Sequence, residues 1–163
     1  MEVEPVSAWF GGLADEGRAT LFAALSEVER QELRWNWELW ARDAQYPPPG
    51  DWAVWLISAG RGFGKTRAGA EWVRRISCDY PDARIALVGA SISEVRAVMV
   101  EGESGIIATS PPHRMPQFEP SLKRLSWPNG AQAMLYSAGE PDSLRGPQHS
   151  HARRTSAEII LRE

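Results

Sequence analysis

An α/β fold, a parallel sheet with flanking helices behind a small helical N-terminal segment, is predicted by three observations. Two short apolar runs, Trp52–Ser58 and Arg84–Gly89, are each bounded by turn residues, the profile of strands buried on both faces. Each is followed by a stretch that reads as helix, Lys65–Ser77 and then Ile92–Val100. That order implies parallel strands joined by right-handed crossovers. The third is a glycine-rich turn, Ala59–Thr66, between the first strand and its helix.

The elements follow in order. Residues 1–46 read as helical, with a weak first segment near Leu13–Leu25. Ser26 followed by Glu29 has the spacing of a capping box and opens a second helix, Glu27–Ala44. Leu33, Trp37, Trp40 and Ala44 share one face of it, widened by Trp35 and Leu39. Pro47-Pro48-Pro49-Gly50 stops that helix and forces an extended connector. After the two strand–helix units the chain turns loop-rich from Gly102 through Ser110-Pro111-Pro112 to Pro120. Lys123–Trp127 and Ala131–Ser137 then read as two strands around an Asn129-Gly130 turn. No internal repeat or low-complexity stretch interrupts the pattern.

Bulk properties narrow the function. With 163 residues and 43% hydrophobic content, the chain can bury one modest core. A net charge of −3 gives no global basic field, which argues against a free-standing DNA-binding module but leaves room for a local basic strip. The one cysteine, Cys78, excludes an internal disulfide and fits a small buried hydrophobe in a helix. No apolar run approaches the about 20 residues of a membrane-spanning helix. The acidic start Met-Glu-Val-Glu-Pro lacks the basic region of a signal peptide, so a soluble, cytoplasmic protein of a bacterial host cell is expected.

The sharpest motif is Ala59-Gly60-Arg61-Gly62-Phe63-Gly64-Lys65-Thr66, placed after a predicted strand and opening a predicted helix. Its glycines let backbone N–H groups curl around a phosphate, and the helix N-terminus adds its positive dipole end. Lys65 is placed to reach the β- and γ-phosphates, and the Thr66 hydroxyl to ligate Mg²⁺. Ala59 stands where the G-x-x-x-x-G-K-T pattern has glycine, a minimal departure. Arg61 adds a second cation to the loop. These residues predict a P-loop NTPase fold that takes ATP and Mg²⁺.

A wider resemblance rests on Trp40-Ala41-Arg42, Gln45, Pro47–Trp52, Ala59–Val73, Arg84–Ala90, Val98–Gly102, Ser126–Ala131 and Pro141–His149. Together these segments resemble the large terminase subunit of tailed phages and prophages, with gene-transfer-agent relatives. The resemblance implies an ATPase that works as a ring at a portal, with a small terminase subunit, to drive double-stranded DNA into a procapsid. It also implies a separate nuclease domain in full-length relatives. By position, Gln45 would contact adenine, whose edge needs both a donor and an acceptor. Arg61 would be the loop arginine of the motor, and Arg145, in Ser143-Leu144-Arg145-Gly146, a coupling residue near the γ-phosphate or a neighbouring subunit. The plain alternatives are a polar residue at a helix end for Gln45 and a turn arginine for Arg145.

One part of that resemblance fails. ATP hydrolysis in this class needs an Asp for the Mg²⁺ shell and a Glu to activate water at the end of a second apolar strand. The corresponding positions read Arg153-Arg154-Thr155-Ser156, with Glu158 the nearest following acid. If Arg153 ends in G and the next codons are CGG, ACG and AGC, a one-base change of frame encodes Ala-Asp-Glu. Residues 153–163 are therefore expected to be an out-of-frame tail on a partial ATPase domain spanning 47–152. Such a chain should bind nucleotide weakly, hydrolyse it poorly, cut no DNA and expose apolar sheet edges.

Other residues point to structure rather than chemistry. His113, His149 and His151 lack the further ligands of a metal site and read as loop histidines. The eight tryptophans sit at helix and strand spacing, a core pattern. Trp127 beside Lys123-Arg124 is the one basic–aromatic pairing, explained equally by a hairpin surface. Arg67, Arg74 and Arg75 read as a solvated helix face. Two competing functions remain: another P-loop NTPase such as a helicase or small-molecule kinase, and a non-catalytic module docking a portal or small subunit through residues 1–45.

Overall fold

Both apolar runs and the hairpin join one mixed sheet in the computed structural model of the chain, which describes residues 11–154 and 159–162. The chain divides into two units, one ending at Tyr46 and one beginning at Pro47.

The first unit holds helices α1 (Asp15–Ala24), α2 (Glu27–Trp35) and α3 (Trp37–Trp40), then a 3₁₀ turn, Asp43–Gln45. The capping box forms: the Glu29 amide donates to Ser26 Oγ at 3.3 Å, and the Ser26 amide to the Glu29 carboxylate at 2.8 Å. The expected continuous helix Glu27–Ala44 does not. Asn36 is extended, with ψ 94°, and its Oδ1 accepts from the Glu38 amide at 3.1 Å. An asparagine side chain offers the backbone this alternative partner, so the helix ends and restarts there. Trp40 leaves the expected apolar face half-exposed and donates its indole N–H to the Leu33 carbonyl at 2.9 Å.

In the second unit, β1 (Val54–Leu56) leads through the glycine-rich loop into α4 (Lys65–Asp79) and β2 (Arg84–Gly89). Helix α5 starts at Ile92–Glu94 and widens into a π-helix over Val95–Val100, where the Glu101 amide donates to the Arg96 carbonyl five residues back at 2.9 Å. A short helix α6 (Ile106–Thr109) lies in the stretch expected to be loop. Then come β3 (Gln117–Glu119), β4 (Arg124–Ser126), β5 (Gln132–Ser137), β6 (His151–Arg154) and β7 (Ile159–Arg162).

The sheet order is β1-β7-β6-β2-β5-β4-β3. β2 pairs in parallel with both β5 and β6, as the strand–helix order predicts. β4 and β5 are antiparallel around the Asn129-Gly130 turn, with Gly130 at φ 102°. The parallel sheet of the sequence reading is corrected to a mixed one, in which the hairpin expected at Asn129-Gly130 supplies antiparallel strands. Antiparallel β7 lies between β1 and β6, leaving β1 and β6 pointing the same way without touching. Arg153 and Arg154 are strand residues of this sheet, while Thr155, Ser156 and Glu158 lie outside the described residues.

One row crosses the sheet in register: Trp55, Ile160, Arg153, Leu87 and Leu135. All five are buried. Helix α4 packs against α5 and α6, and Val73, Val95, Met99, Val100 and Ile106 are fully buried with it. Strand β1 departs from its expected burial on both faces. Trp55 is inside, but Val54 and Leu56 are each 56% exposed. β1 ends the sheet, and its second face meets solvent.

Candidate functional site

The parallel strands set the site. β1, β2, β5 and β6 share one direction, so the loops after them leave from the same sheet edge, where open α/β sheets bind ligands. At that edge the loop after β1 turns on two left-handed glycines, Gly62 at φ 81° and Gly64 at φ 87°. Gly64 is the N-cap of α4 and has no side chain with which to cap that end. Its first amides are thus left to the backbone turn and to whatever anion enters. A Cβ built on Gly60 or Gly62 would meet nothing within 4 Å, so open space lies in front of the loop.

Lys65 turns back across this loop. Its Nζ donates to the Ala59 carbonyl at 2.7 Å and the Gly60 carbonyl at 2.9 Å. The ammonium is thereby held at the mouth of the turn. Phe63, Gly64, Lys65 and Thr66 are half-buried, whereas Gly60, Arg61 and Gly62 are exposed.

The other predicted site residues belong to other elements. Gln45 belongs to the first unit and is buried at 5% exposure, where its Oε1 accepts from the Arg42 amide at 2.9 Å. Arg145 caps the 3₁₀ turn Pro141–Leu144 after β5 and pairs with Asp142 at 3.1 Å, both side chains being largely exposed.

Two charged residues at α4 escaped the sequence reading. Glu71 is buried, and Arg67 and Arg74 clasp it at 2.7 and 2.6 Å. The solvated-face expectation is thus wrong for those two arginines; one helical turn either side of a buried carboxylate brings them inward. It is right for Arg75, which is exposed and lies 3.6 Å from Asp79. The second is Arg153, fully buried on β6, whose Nη2 donates to the Thr66 carbonyl at 3.0 Å. A Cβ on Gly69 would come within 2.6 Å of the Arg153 Cζ, so glycine there is what lets the guanidinium lie under α4. An isolated glycine inside a helical pattern was the available signal.

The open side of the loop has room for a phosphate, and the Thr66 hydroxyl is the group there expected to ligate Mg²⁺. Beyond the Thr66 hydroxyl, the neighbouring strand β6 offers His, Ala, Arg and Arg. Among the described residues no group of three or more His, Cys, Asp or Glu could hold a metal.

Elsewhere, a cavity is lined by Ser77, Cys78, His113, Arg114, Trp127, Pro128 and Asn129. Cys78 is half-buried rather than a core residue, with Arg114 Nη1 3.7 Å from its sulfur. Trp127 is buried, which removes it as a surface stacking partner for Arg124, and Arg124 instead pairs with Glu119 at 2.9 Å.

The fold is thus an α/β one, a seven-stranded mixed sheet with a glycine-rich strand–loop–helix turn at the carboxyl ends of its parallel strands. Residues 56–152, more than half of the chain, match the family described as terminase large subunit, T4likevirus-type, N-terminal. The chain belongs to that family, and with it to the proteins of phage DNA packaging. No curated protein and no solved structure matches the chain. Among the described residues, no helix is long and apolar enough to cross a membrane.

Proposed function

We propose that the loop Gly60–Thr66 binds the phosphates of ATP, and that the chain is the nucleotide-binding part of a packaging motor. In this reading the parent assembly is a ring at a phage portal, loaded with double-stranded DNA by a small terminase subunit. The observation that supports it best is the posture of Lys65, whose ammonium is held over the Ala59 and Gly60 carbonyls beside a helix end whose N-cap is a glycine. An entering phosphate takes over those contacts and gains the loop amides as well.

The same reading assigns Arg61 to the outer phosphates, and leaves Gln45 and Arg145 as secondary contacts for adenine and for a neighbouring subunit. Turnover is expected to be slow. β6 carries no carboxylate to activate water, and positioning alone leaves most of the barrier in place.

The test is a titration of the full chain with ATP beside Lys65→Ala. Binding should weaken by about tenfold or more in the variant, the loss expected for one charge-assisted contact. Equal affinity in both proteins would remove the loop from the binding site. Family membership favours this motor reading over a helicase or kinase; stimulation by single strands but not by duplex DNA would reverse that preference.

A further inference from the structure

A cavity of about 180 Å³ opens where three elements meet: the C-terminal end of α4, the turn Pro112–Arg114, and the turn of the β4–β5 hairpin. Cys78 and the glycine-rich loop stand at opposite ends of α4, about 20 Å apart along the helix. Nothing in the nucleotide reading uses this cavity.

Its hydrogen-bonding groups are unevenly used. The Ser77 carbonyl accepts from Asn129 Nδ2 at 2.6 Å, and Asn129 Oδ1 accepts from the Ala131 amide at 3.3 Å. The Trp127 backbone is paired as well, its amide with the Ala131 carbonyl and its carbonyl with the Gly130 amide, both at 3.0 Å. Donors are what remain. Trp127 is only 6% exposed, yet its indole N–H has no acceptor among the described residues. Arg114 is exposed and brings Nη1 to 3.7 Å from Cys78 Sγ, a weak acceptor. A buried donor without an acceptor is a standing cost, and a ligand that supplies the acceptor removes it.

Size and wall narrow that ligand. A cavity of roughly 150 Å³ takes a benzene ring, so this one has room for a small ring with a polar group attached. Trp127 and Pro128 give it an apolar wall. The guanidinium fork of Arg114 matches the two oxygens of a carboxylate.

We infer that this cavity binds a small carboxylate carried on an apolar body. Arg114 and the Trp127 indole N–H take the carboxylate, and the body lies against Trp127 and Pro128.

Benzoate is the probe, added to the full chain labelled with ¹⁵N at tryptophan. Trp127→Phe identifies the Trp127 indole signal by its loss. Benzoate should move that signal selectively, with half-saturation at about 1 mM. Arg114→Gln should raise the half-saturating concentration about tenfold, the loss of one charge-assisted contact. Benzyl alcohol has the body without the charge, and inorganic phosphate the charge without the body; each should bind at least about tenfold more weakly. Cys78, the one cysteine of the chain, gives a readout that needs no change at Trp127. Its alkylation by iodoacetamide should slow as benzoate fills the cavity, at the same half-saturating concentration.

A Trp127 signal and a Cys78 alkylation rate that benzoate leaves unmoved overturn the site. Equal binding by Arg114→Gln overturns the role of the guanidinium, and equal binding of phosphate or benzyl alcohol overturns the ligand class. Each of these results leaves the nucleotide reading of Gly60–Thr66 untouched.

Discussion

Glu71 holds together the charge of α4, the helix after the glycine-rich loop, because its buried carboxylate is the shared partner of Arg67 and Arg74. Glu71→Gln keeps the shape and removes the charge that both guanidinium groups share. The expected loss is about 3 kcal/mol by chemical denaturation, the scale for breaking a buried pair from one side. A loss below about 0.5 kcal/mol would make it equivalent to a surface pair. His149 sets a pH dependence. Its ring lies 5.1 Å from the Tyr136 ring, and neither ring nitrogen finds a hydrogen-bond partner among the described residues. Burial pushes its pKa below the ordinary 6.5, opposed only in part by the nearby Arg84 backbone. The unfolded chain therefore takes up a proton below about pH 6.5 that the folded chain resists. This stability is fully present above that pH and lost as the pH falls from it towards the folded pKa. Melting temperatures between about pH 7.5 and 5 should fall for the wild type and fall less for His149→Phe. Parallel profiles would take His149 out of the account. Neither role could be read from the residue alone: a histidine in a loop and a glutamate in a helix look the same whether buried or not.

At the scale of elements, α4 and the broken N-terminal helix illustrate opposite balances of local and distant forces. In α4, intrinsic propensity favours alanine over glycine at position 69 by about 1 kcal/mol. Contact with Arg153 reverses that preference. Gly69→Ala is expected to destabilise by about 1–2 kcal/mol, since overpacking of a filled site outweighs propensity. Combining it with Arg153→Ala should recover most of the loss, and strict additivity of the two changes would contradict the contact. In the first unit the forces are local. Asn36 ends α2 and caps α3 through its own side chain, so Asn36→Ala should extend the helix and raise far-ultraviolet helical ellipticity. Unchanged or reduced ellipticity would show that packing, rather than the side chain, breaks the helix. The capping box at Ser26 was legible in advance because its partners are three residues apart; the break at Asn36 was missed because the apolar face ran straight through it.

For the whole molecule, the exposed end of the sheet has the clearest consequence. Val54, Leu56 and Leu161 stand on one face of the β1–β7 pair, with exposures of 56%, 56% and 40%. An apolar face beside a sheet-ending strand invites self-association. Leu56→Lys should shift the protein towards monomer in size-exclusion runs at rising concentration, without loss of thermal stability. If the variant self-associates as the wild type does, another surface is responsible. The candidate loop, its helix, β2 and the β4–β5 hairpin were all legible in the sequence. Each depends on neighbours within a few residues: glycines that permit positive φ, a strand-length apolar run, an Asn-Gly turn. What the tertiary structure alone decided is who meets whom at long range. It paired β1 with β7 rather than with another parallel strand, and it placed Arg153 under Thr66, 87 residues away in sequence. Sequence by itself determined the glycine-rich loop and the family segments around it. The buried charge behind that loop required the fold, because burial of a guanidinium depends on which strand and which glycine lie across from it, and no local pattern encodes that meeting.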